Sequence, residues 1–368
     1  MSKTPILDRE EAVPAVKVPL ARSIFIGFAL GVVFLVINEG VVHIPVPPVG
    51  ALPIFLVAWY ASLLMHELGH AGAGLAMGFE VRALVVGAFH LERRAHGWRF
   101  RLIPKRFLGG GLTSTLPQSN QNLVRRFALC IMAGPAVSAI LFIITFFLPT
   151  GLWVGSFCLA NLILAAFSCI PFTVRGQPAD AKNILILAQK GVVADRLAAI
   201  LYLLALDARG IQPREWPHEF VERMSAVTND MSYLPLSLAM QHACLLETND
   251  TERIAQVLES ALSVSNKMPP DLQRGFFHVA ACFQGMDRKN VSLAESWLAS
   301  ARGVKGAASL KDWDSMASAA ICLAHGQPSQ AREYLMRYKA FLDELPLSGM
   351  IAATRARVVS LLDELAGA

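Results

Sequence analysis

The stretch Trp59–Met77, WYASLLMHELGHAGAGLAM, decides how this chain is interpreted. It lies inside an apolar run that starts at Pro53, and it contains the motif His66-Glu67-Leu68-Gly69-His70. Residues four apart lie one above the other on a helix, so the two imidazoles share a face. This spacing lets both histidines bind one Zn²⁺ ion, and it places Glu67 within reach of a water molecule on that ion.

The motif predicts hydrolytic chemistry. A zinc ion lowers the pKa of a coordinated water toward neutrality, and a neighbouring carboxylate such as that of Glu67 takes the proton. Such polar groups are costly in lipid unless they line a protein interior or a wet cavity. The alternative is a chance match. Histidine is rare here, with nine in 368 residues, so a random match is expected in about one such chain in a hundred.

The composition indicates a membrane protein. Hydrophobic residues make up 54% of the 368 residues and charged residues 17%, and the mean hydropathy is +0.46. An ordinary soluble enzyme is less apolar. The long uncharged runs all precede Phe172, so the chain divides into a membrane part and a soluble helical part. Six cysteines without a C-x-x-C pair are interpreted as small buried hydrophobes in a reducing compartment.

We predict about four membrane spans in the first half of the chain. They are Ser23–Val42, Pro53–Met77, Phe127–Leu148 and Ser156–Phe172. A signal peptide is the alternative for the first span, but the long leader and the lack of a clear cleavage site favour a retained helix. Small residues after Glu67, and again around Gly134, favour close contact between helices.

The segment between the second and third spans is not helical in pattern. Glu80–Arg94 and Gly97–Ile103 are rich in β-branched and aromatic residues, with a turn between them, and Leu112–Leu116 is a third extended piece. We predict a small β-sheet at the cytoplasmic membrane surface. Single histidines in strands and turns are seldom ligands, so His90 and His96 are not assigned to the metal.

Basic residues predict the orientation. Nine lysines and arginines lie between Glu80 and Arg126 against two glutamates, whereas the hairpins 43–52 and 149–155 carry none. A loop of this kind could indicate nucleic-acid binding, but in a multi-span protein it more often fixes topology, so no nucleic-acid partner is predicted. The positive-inside rule then places both termini in the cytoplasm. It also places the motif and Asp180 on the same side, where they can meet.

The second half predicts a helical repeat. Helical stretches end after Cys244, Cys282 and Cys322, and each is followed by an alanine-rich helix. The recurrence is about 40 residues, near that of tetratricopeptide-type helix pairs. A last helix, Gly349–Leu365, would cap the stack. The repeat either binds a protein or peptide partner or is a stabilising appendage without a ligand. Residues 183–211 are interpreted as an amphipathic connector, with a fifth span as the alternative.

The membrane part, about residues 53–183, resembles the site-2 protease family of intramembrane zinc metalloproteases. The resemblance rests on the HELGH motif, on Gly134-Pro135 in a second helix, and on the series Asn161, Pro171 and Asp180. That series departs from the family pattern, which has Asn-x-x-Pro followed shortly by Asp-Gly. Here Asn161 and Pro171 lie further apart and Ala181 follows Asp180, which places the third ligand in doubt.

The resemblance implies specific roles. One zinc ion would be bound by His66, His70 and Asp180, with Glu67 as the catalytic base and Asn161 orienting the substrate. The family also implies that an unwound substrate helix is presented as an extended strand to a sheet at the membrane edge, and residues 78–116 are the counterpart of that sheet.

Together these observations predict a mainly α protein. A polytopic membrane helix bundle with a small membrane-surface β-sheet is followed by a soluble, tetratricopeptide-like helical repeat domain. The expected divisions are a cytoplasmic segment 1–22, a metalloprotease core 23–182, a connector 183–211 and a repeat domain 212–368.

The expected function is a zinc metalloendopeptidase of a bacterial cytoplasmic membrane. It would cleave a membrane-embedded peptide or protein substrate, in or next to a transmembrane segment, near the cytoplasmic face of the lipid bilayer. Two alternatives remain open: a catalytically idle membrane anchor for a helical-repeat adaptor, and a zinc carrier.

Overall fold

The computed structural model describes residues 5–8, 52–94, 97–104, 110–149, 151–174, 177–226, 233–246, 248, 250–305 and 312–367. The predicted first span, Ser23–Val42, lies outside these residues, as does His96. The chain forms two compact units. One comprises residues 17–173 and 178–190, and the other comprises residues 1–16, 174–177 and 191–368. They are called the HELGH unit and the helical unit below.

The HELGH unit combines apolar helices with a small sheet. Its elements are α1 (Leu52–Ala76), β1 (Phe79–Val86), β2 (Phe89–Arg94), β3 (Gly97–Leu102), β4 (Gly111–Pro117), α2 (Leu123–Phe146), α3 (Leu152–Ser168) and α4 (Asp180–Ala188). Two short strands, β5 (Thr173–Val174) and β6 (Gln177–Pro178), pair with each other before α4.

The helices α1 and α2 are long and apolar enough to cross a membrane. They have 25 and 24 residues, and they are the candidate spans within the described part of the chain. The apolar helix α3 has 17 residues, a length of about 25 Å. The helices α2 and α3 begin at Leu123 and Leu152, four residues before the predicted third and fourth spans. A four-span topology stays a prediction.

The end of α1 is joined to the start of α2. Gly78 has a φ of +73°, which a glycine adopts without steric cost, and the helix ends there. The guanidinium of Arg126 donates from Nε to the Met77 carbonyl at 2.6 Å and from Nη2 to the Gly78 carbonyl at 3.1 Å. These bonds satisfy carbonyl groups that the end of a helix leaves free.

The two long helices approach closely at small residues, as predicted. A Cβ added at Gly69 of α1 would lie 2.9 Å from the Ala133 carbonyl oxygen and 2.9 Å from Cγ2 of Val137 in α2. Backbones can come this near only where one helix lacks a side chain. The contact lies one residue before His70, so it sets where the motif meets α2.

The sheet is antiparallel with strand order β3-β2-β1-β4. The prediction of one extended piece over Glu80–Arg94 was wrong, because the chain reverses between Val86 and Phe89. Gly87 has a φ of +55° in this two-residue turn, and Tyr60 Oη would lie 2.6 Å from a Cβ there. The turn therefore requires glycine. The predicted pairing of the next two strands is present, with Arg94 opposite Gly97.

The helical unit consists of successive helices after a short 3-10 turn at Ile6–Asp8. They are α5 (Val192–Asp207), α6 (His218–Ser225), α7 (Leu234–Leu245), α8 (Thr251–Ser263), α9 (Pro270–Met286), α10 (Val291–Gly303), α11 (Ser315–Ala324), α12 (Pro328–Glu344) and α13 (Gly349–Gly367). Further 3-10 turns lie at Pro213–Glu215 and Ser265–Lys267. The helices α7 to α13 lie at the positions expected for three pairs and a cap, and their tetratricopeptide-like character stays a prediction.

The segment predicted as a connector is divided between the units. Residues up to Lys190 belong to the HELGH unit, and α5 belongs to the helical unit. The α5 residues Ala199, Ile200 and Leu203 are fully buried and pack with Trp216 and neighbouring side chains. Burial on this scale makes α5 a core helix of its unit.

Candidate metal centre

The two histidines of the motif and Asp180 meet at one point. The Nε2 atoms of His66 and His70 lie 3.2 Å apart. Oδ2 of Asp180 lies 3.4 Å from the first and 3.6 Å from the second. Among the described residues, this is the group of histidine, cysteine and acidic side chains whose donor atoms converge closely enough to hold a metal ion. The prediction that α1 brings both imidazoles together with Asp180 therefore matches the geometry.

The other nitrogen of each imidazole is engaged from α2. Nδ1 of His66 lies 2.9 Å from Oγ of Ser138, and Nδ1 of His70 lies 3.0 Å from the carbonyl oxygen of Cys130. A carbonyl only accepts, so Nδ1 of His70 carries the hydrogen and Nε2 presents a lone pair. Contacts of this kind fix the tautomer and orientation of histidines that bind metals.

The donor set fits a zinc ion. Zinc binds histidine nitrogen and carboxylate oxygen at about 2.0–2.2 Å, so neighbouring ligands in a tetrahedron lie about 3.3–3.5 Å apart. The three observed separations are 3.2, 3.4 and 3.6 Å. Nδ1 of His66 faces a hydroxyl, which can donate or accept, so only the contact of His70 fixes a lone pair at Nε2. The His70 nitrogen and the Asp180 oxygen are then both acceptors, and they repel each other unless a cation lies between them. The three side chains thus fit a zinc ion, which His66, His70 and Asp180 would hold.

The ligand from outside the motif comes at the start of α4. Asp180 is the first residue of this helix, and the backbone turns into it through the strands β5 and β6. The departure from the family's Asp-Gly pattern does not prevent this placement.

Glu67 is held by the sheet. The hydroxyl of Thr113 in β4 donates to Oε2 of Glu67 at 2.6 Å and to its backbone carbonyl at 3.0 Å. A Cβ at Gly111, two residues earlier on the same strand, would overlap Oε1 of Glu67. The carboxylate therefore fits between a hydroxyl that binds one oxygen and a glycine that leaves room for the other.

Gly134 gives His70 its space. A Cβ at this position of α2 would overlap the imidazole at Nε2, Cε1 and Cδ2. The residues His70 and His66 are 9% and 5% exposed, so neither ring can move aside into solvent. Gly134 was predicted as a helix-contact residue. Its lack of a side chain also leaves room for the His70 imidazole.

Asn161 is not placed in the cluster. Its side chain is fully buried, and its Nδ2 donates to Oγ of Ser62 at 2.9 Å and to the Phe157 carbonyl at 2.8 Å. Ser62 lies one helical turn before His66, so Asn161 ties α3 to the metal-binding helix. Its substrate-binding role stays a prediction.

The sequence reasoning missed the residues that hold the ligands in place. Thr113, Ser138 and the Cys130 carbonyl lie 46, 72 and 60 residues from the side chains they contact. The only local signal was the glycine run that ends at Gly111. His90 lies on β2 and is not part of the metal-binding group.

Comparison with known proteins finds a family and a relative that match this chain. The family described as Peptidase family M50 matches residues 54–329. A protein of Synechocystis sp. (strain ATCC 27184 / PCC 6803 / Kazusa) named "Putative zinc metalloprotease sll0528" is 34% identical over 134 residues, covering 34% of this chain and 28% of the relative. The match thus spans little more than a quarter of the relative's length. No solved structure matches.

Proposed function

Because this chain belongs to peptidase family M50, a family of membrane metalloproteases, we propose that it is an intramembrane zinc metalloendopeptidase. The observation that carries the proposal is the convergence of two Nε2 atoms and one carboxylate oxygen beside Glu67. We place the chain as a multi-pass protein of a bacterial cytoplasmic membrane with both termini in the cytoplasm. The apolar helices α1 and α2 and the basic loop between them support this placement.

The residues of the site have separate roles in peptide hydrolysis. A bound zinc ion would supply the Lewis-acid chemistry that polarises the scissile carbonyl. Glu67 takes a proton from the attacking water at Oε1, because Thr113 already donates to Oε2. Glu67 then returns this proton to the nitrogen of the leaving amine. Both histidines are buried, which limits the access of bulk water to the site.

The position of β4 supports binding of an extended substrate. Within the described residues β4 pairs with β1, and no described strand pairs with its other edge. A peptide added along this edge would pass Thr113 and hence Glu67. We propose that a transmembrane or membrane-proximal segment unwinds and binds here. A partner on the helical unit stays a prediction, since the site is formed by the HELGH unit alone.

The test is Glu67→Gln in the full chain. Thr113 can still donate to the amide oxygen, so the fold and the zinc ligands are kept while the base is lost. We expect about one zinc per chain by mass spectrometry in both proteins. Peptide termini that appear in membranes with the wild type should be absent with E67Q.

Two results would overturn the proposal. One is a wild-type chain, purified with zinc present, that retains none. The other is an E67Q protein that generates the same termini as the wild type. A variant that lacks cleavage yet fully supports the biological role would favour the idle membrane anchor instead.

A further inference from the structure

The strand β3 has an unusual surface. All six of its residues are exposed, although it alternates large apolar side chains with arginines. It forms one edge of the sheet. Side chains alternate between the faces of a strand, so Trp98, Phe100 and Leu102 lie on one face and Arg99 and Arg101 on the other.

The apolar face continues from the helices. Register places Leu84, Leu91 and Phe100 in one row across β1, β2 and β3, and Val86, Phe89 and Leu102 in the next row. At the inner end of these rows, Leu84 and Val86 pack with Leu63 and other residues of α1 and α3.

The outer end of the same face is uncovered. The ring of Phe89 contacts the ring of Tyr60 in α1, with centroids 5.6 Å apart. It also contacts the ring of Phe100, with centroids 6.1 Å apart. Trp98 is then 50% exposed, Phe100 62% and Leu102 57%. The apolar surface thus runs from the contacts with α1 to the exposed side chains of β3.

The opposite face is basic. Alternation and register place Arg94, Arg99, Arg101 and Glu92 on this face, which leaves two positive charges in excess, whereas Arg93 lies across from Trp98 on the apolar face. Glu92 binds Arg94 at 2.6 Å and reaches Arg101 only at 3.7 Å. Glu80 is engaged by Arg93 at 2.7 Å and Arg82 at 3.5 Å. The two glutamates are thus bound mainly by arginines of β1 and β2, which leaves the charge of β3 to act outward.

We propose that the β2–β3 hairpin lies in the membrane interface and binds anionic phospholipid. Its apolar face enters the acyl-chain boundary, and Arg99 and Arg101 contact the lipid phosphates. An apolar face on one side and arginines on the other are the features of segments that lie in this plane. The headgroup layer is about 5–8 Å thick, which long arginine side chains can span. The hairpin would then hold the sheet, and with it β4 and Glu67, at a fixed depth.

The proposal depends on the membrane location and not on proteolysis. The experiment is therefore done with the full-length E67Q chain in nanodiscs, so that loss of activity cannot explain the result. Trp98 is the fluorescent reporter. Its contribution is the tryptophan fluorescence of this protein minus that of the same protein carrying Trp98→Phe. Quenching is measured with brominated phosphatidylglycerol and with brominated phosphatidylcholine, and their ratio gives the lipid preference at Trp98.

We expect both lipids to quench Trp98, with phosphatidylglycerol preferred several-fold. A basic residue at an anionic surface contributes roughly fivefold in binding, and salt weakens the effect. R99Q/R101Q should reduce the preference to about one while leaving quenching by phosphatidylcholine in place. R332Q/R337Q, which removes the same charge from α12, should change nothing. A salt titration of the unaltered hairpin should lower the preference in parallel, and it does not depend on how the variants fold.

Three results would overturn the proposal. A preference of one in the unaltered protein would exclude anionic lipid as the ligand. Access of aqueous acrylamide to Trp98 in nanodiscs equal to that in detergent would place the hairpin in water. Protection from both acrylamide and brominated lipid would show that protein covers the face.

Discussion

Each unit of the molecule contains an aspartate in contact with histidine, and the two sites differ in what balances the negative charge. In the helical unit, Asp314 accepts from Arg274 at 2.9 Å, from Arg302 at 2.8 Å and from Nε2 of His278 at 2.5 Å. In the HELGH unit, the described ion-pair partners of Asp180 are two imidazoles.

The difference separates a structural site from a chemical one. Around Asp314 the protein supplies its own cations, and three helix regions are joined without any other group. Burial lowers the pKa of His278, and its buried Nδ1 has no hydrogen-bond partner among the described residues, so the neutral ring is favoured. Around Asp180 the converging groups are the two imidazoles, and the ion pairs found for Asp180 among the described residues contain no guanidinium. In this molecule, the carboxylate with described arginine partners is balanced by the protein itself, and the one whose described partners are imidazoles fits a metal.

The largest expected effect is that of removing the two carboxylates in turn. Asp180→Asn should reduce bound zinc from about one per chain to a small fraction. Peptide cleavage should fall at least about 10²–10³-fold, a loss typical of removing one group that stabilises a transition state. Asp314→Asn should change neither quantity. Metal analysis of both purified variants, with cleavage assayed in parallel, checks this. Full zinc occupancy in D180N would contradict the comparison.

The second effect concerns the space around His70. Gly134→Ala places a methyl group where the imidazole lies, so His70 must leave its position and zinc affinity should fall about 100-fold. Gly72→Ala on α1 is the matched control, since a Cβ there meets nothing within 4 Å. Competition with a zinc chelator measures the zinc affinity of both variants. Equal affinities would show that His70 does not bind the metal in this orientation.

The third effect concerns the outer contact of His66. Ser138→Ala removes the hydroxyl that lies 2.9 Å from Nδ1 and should weaken zinc binding about tenfold. Ser156→Ala is the control, because this serine is also fully buried and its hydroxyl has no hydrogen-bond partner among the described residues. If S138A and S156A bind zinc alike, the hydroxyl does not orient the ring.

The residues changed in these variants also show which parts of the site could be predicted from the sequence. The spacing of His66, Glu67 and His70 is local, since a helix converts four residues into one face. The candidate ligand Asp180 was named because the family pattern and the predicted topology both pointed to it. Thr113 and Ser138 could not be named, because many serines and threonines look alike until tertiary contacts bring one of them to a ligand.

The fold could be predicted from the sequence to a similar extent. Apolar length indicated α1 and α2, and alternation indicated the strands. The hairpin at Gly87 was missed because a single glycine inside an apolar β pattern also suits a continuous strand. The charged positions of α5 suggested a surface helix, and the core that buries its other residues is formed by segments that follow it in the chain.

The smallest expected effect is acid sensitivity of the helical unit through Asp314. Burial raises the pKa of this carboxyl, but hydrogen bonds from Arg302, Arg274 and His278 lower it to about 2, below the ordinary value of 3.8. A depressed pKa contributes stability above the unfolded value, and that stability is lost as pH falls from about 4 toward about 2. The Asp314 side chain is 25% exposed, so the contribution is about 1–2 kcal/mol after allowance for solvent screening.

Hydrogen-exchange protection of α9, α10 and α11 in the full chain measures this contribution. At pH 6, D314N should lower their protection by the amount expected for 1–2 kcal/mol, roughly 5- to 30-fold, and at pH 3 the difference between variant and wild type should narrow. Protection of α1 and α2 should not respond, because Asp314 makes its contacts in the helical unit alone. A difference that widened as pH fell would mean that the carboxyl is protonated in the folded unit. The guanidinium groups would then not balance its charge, and the contrast with Asp180 would be lost.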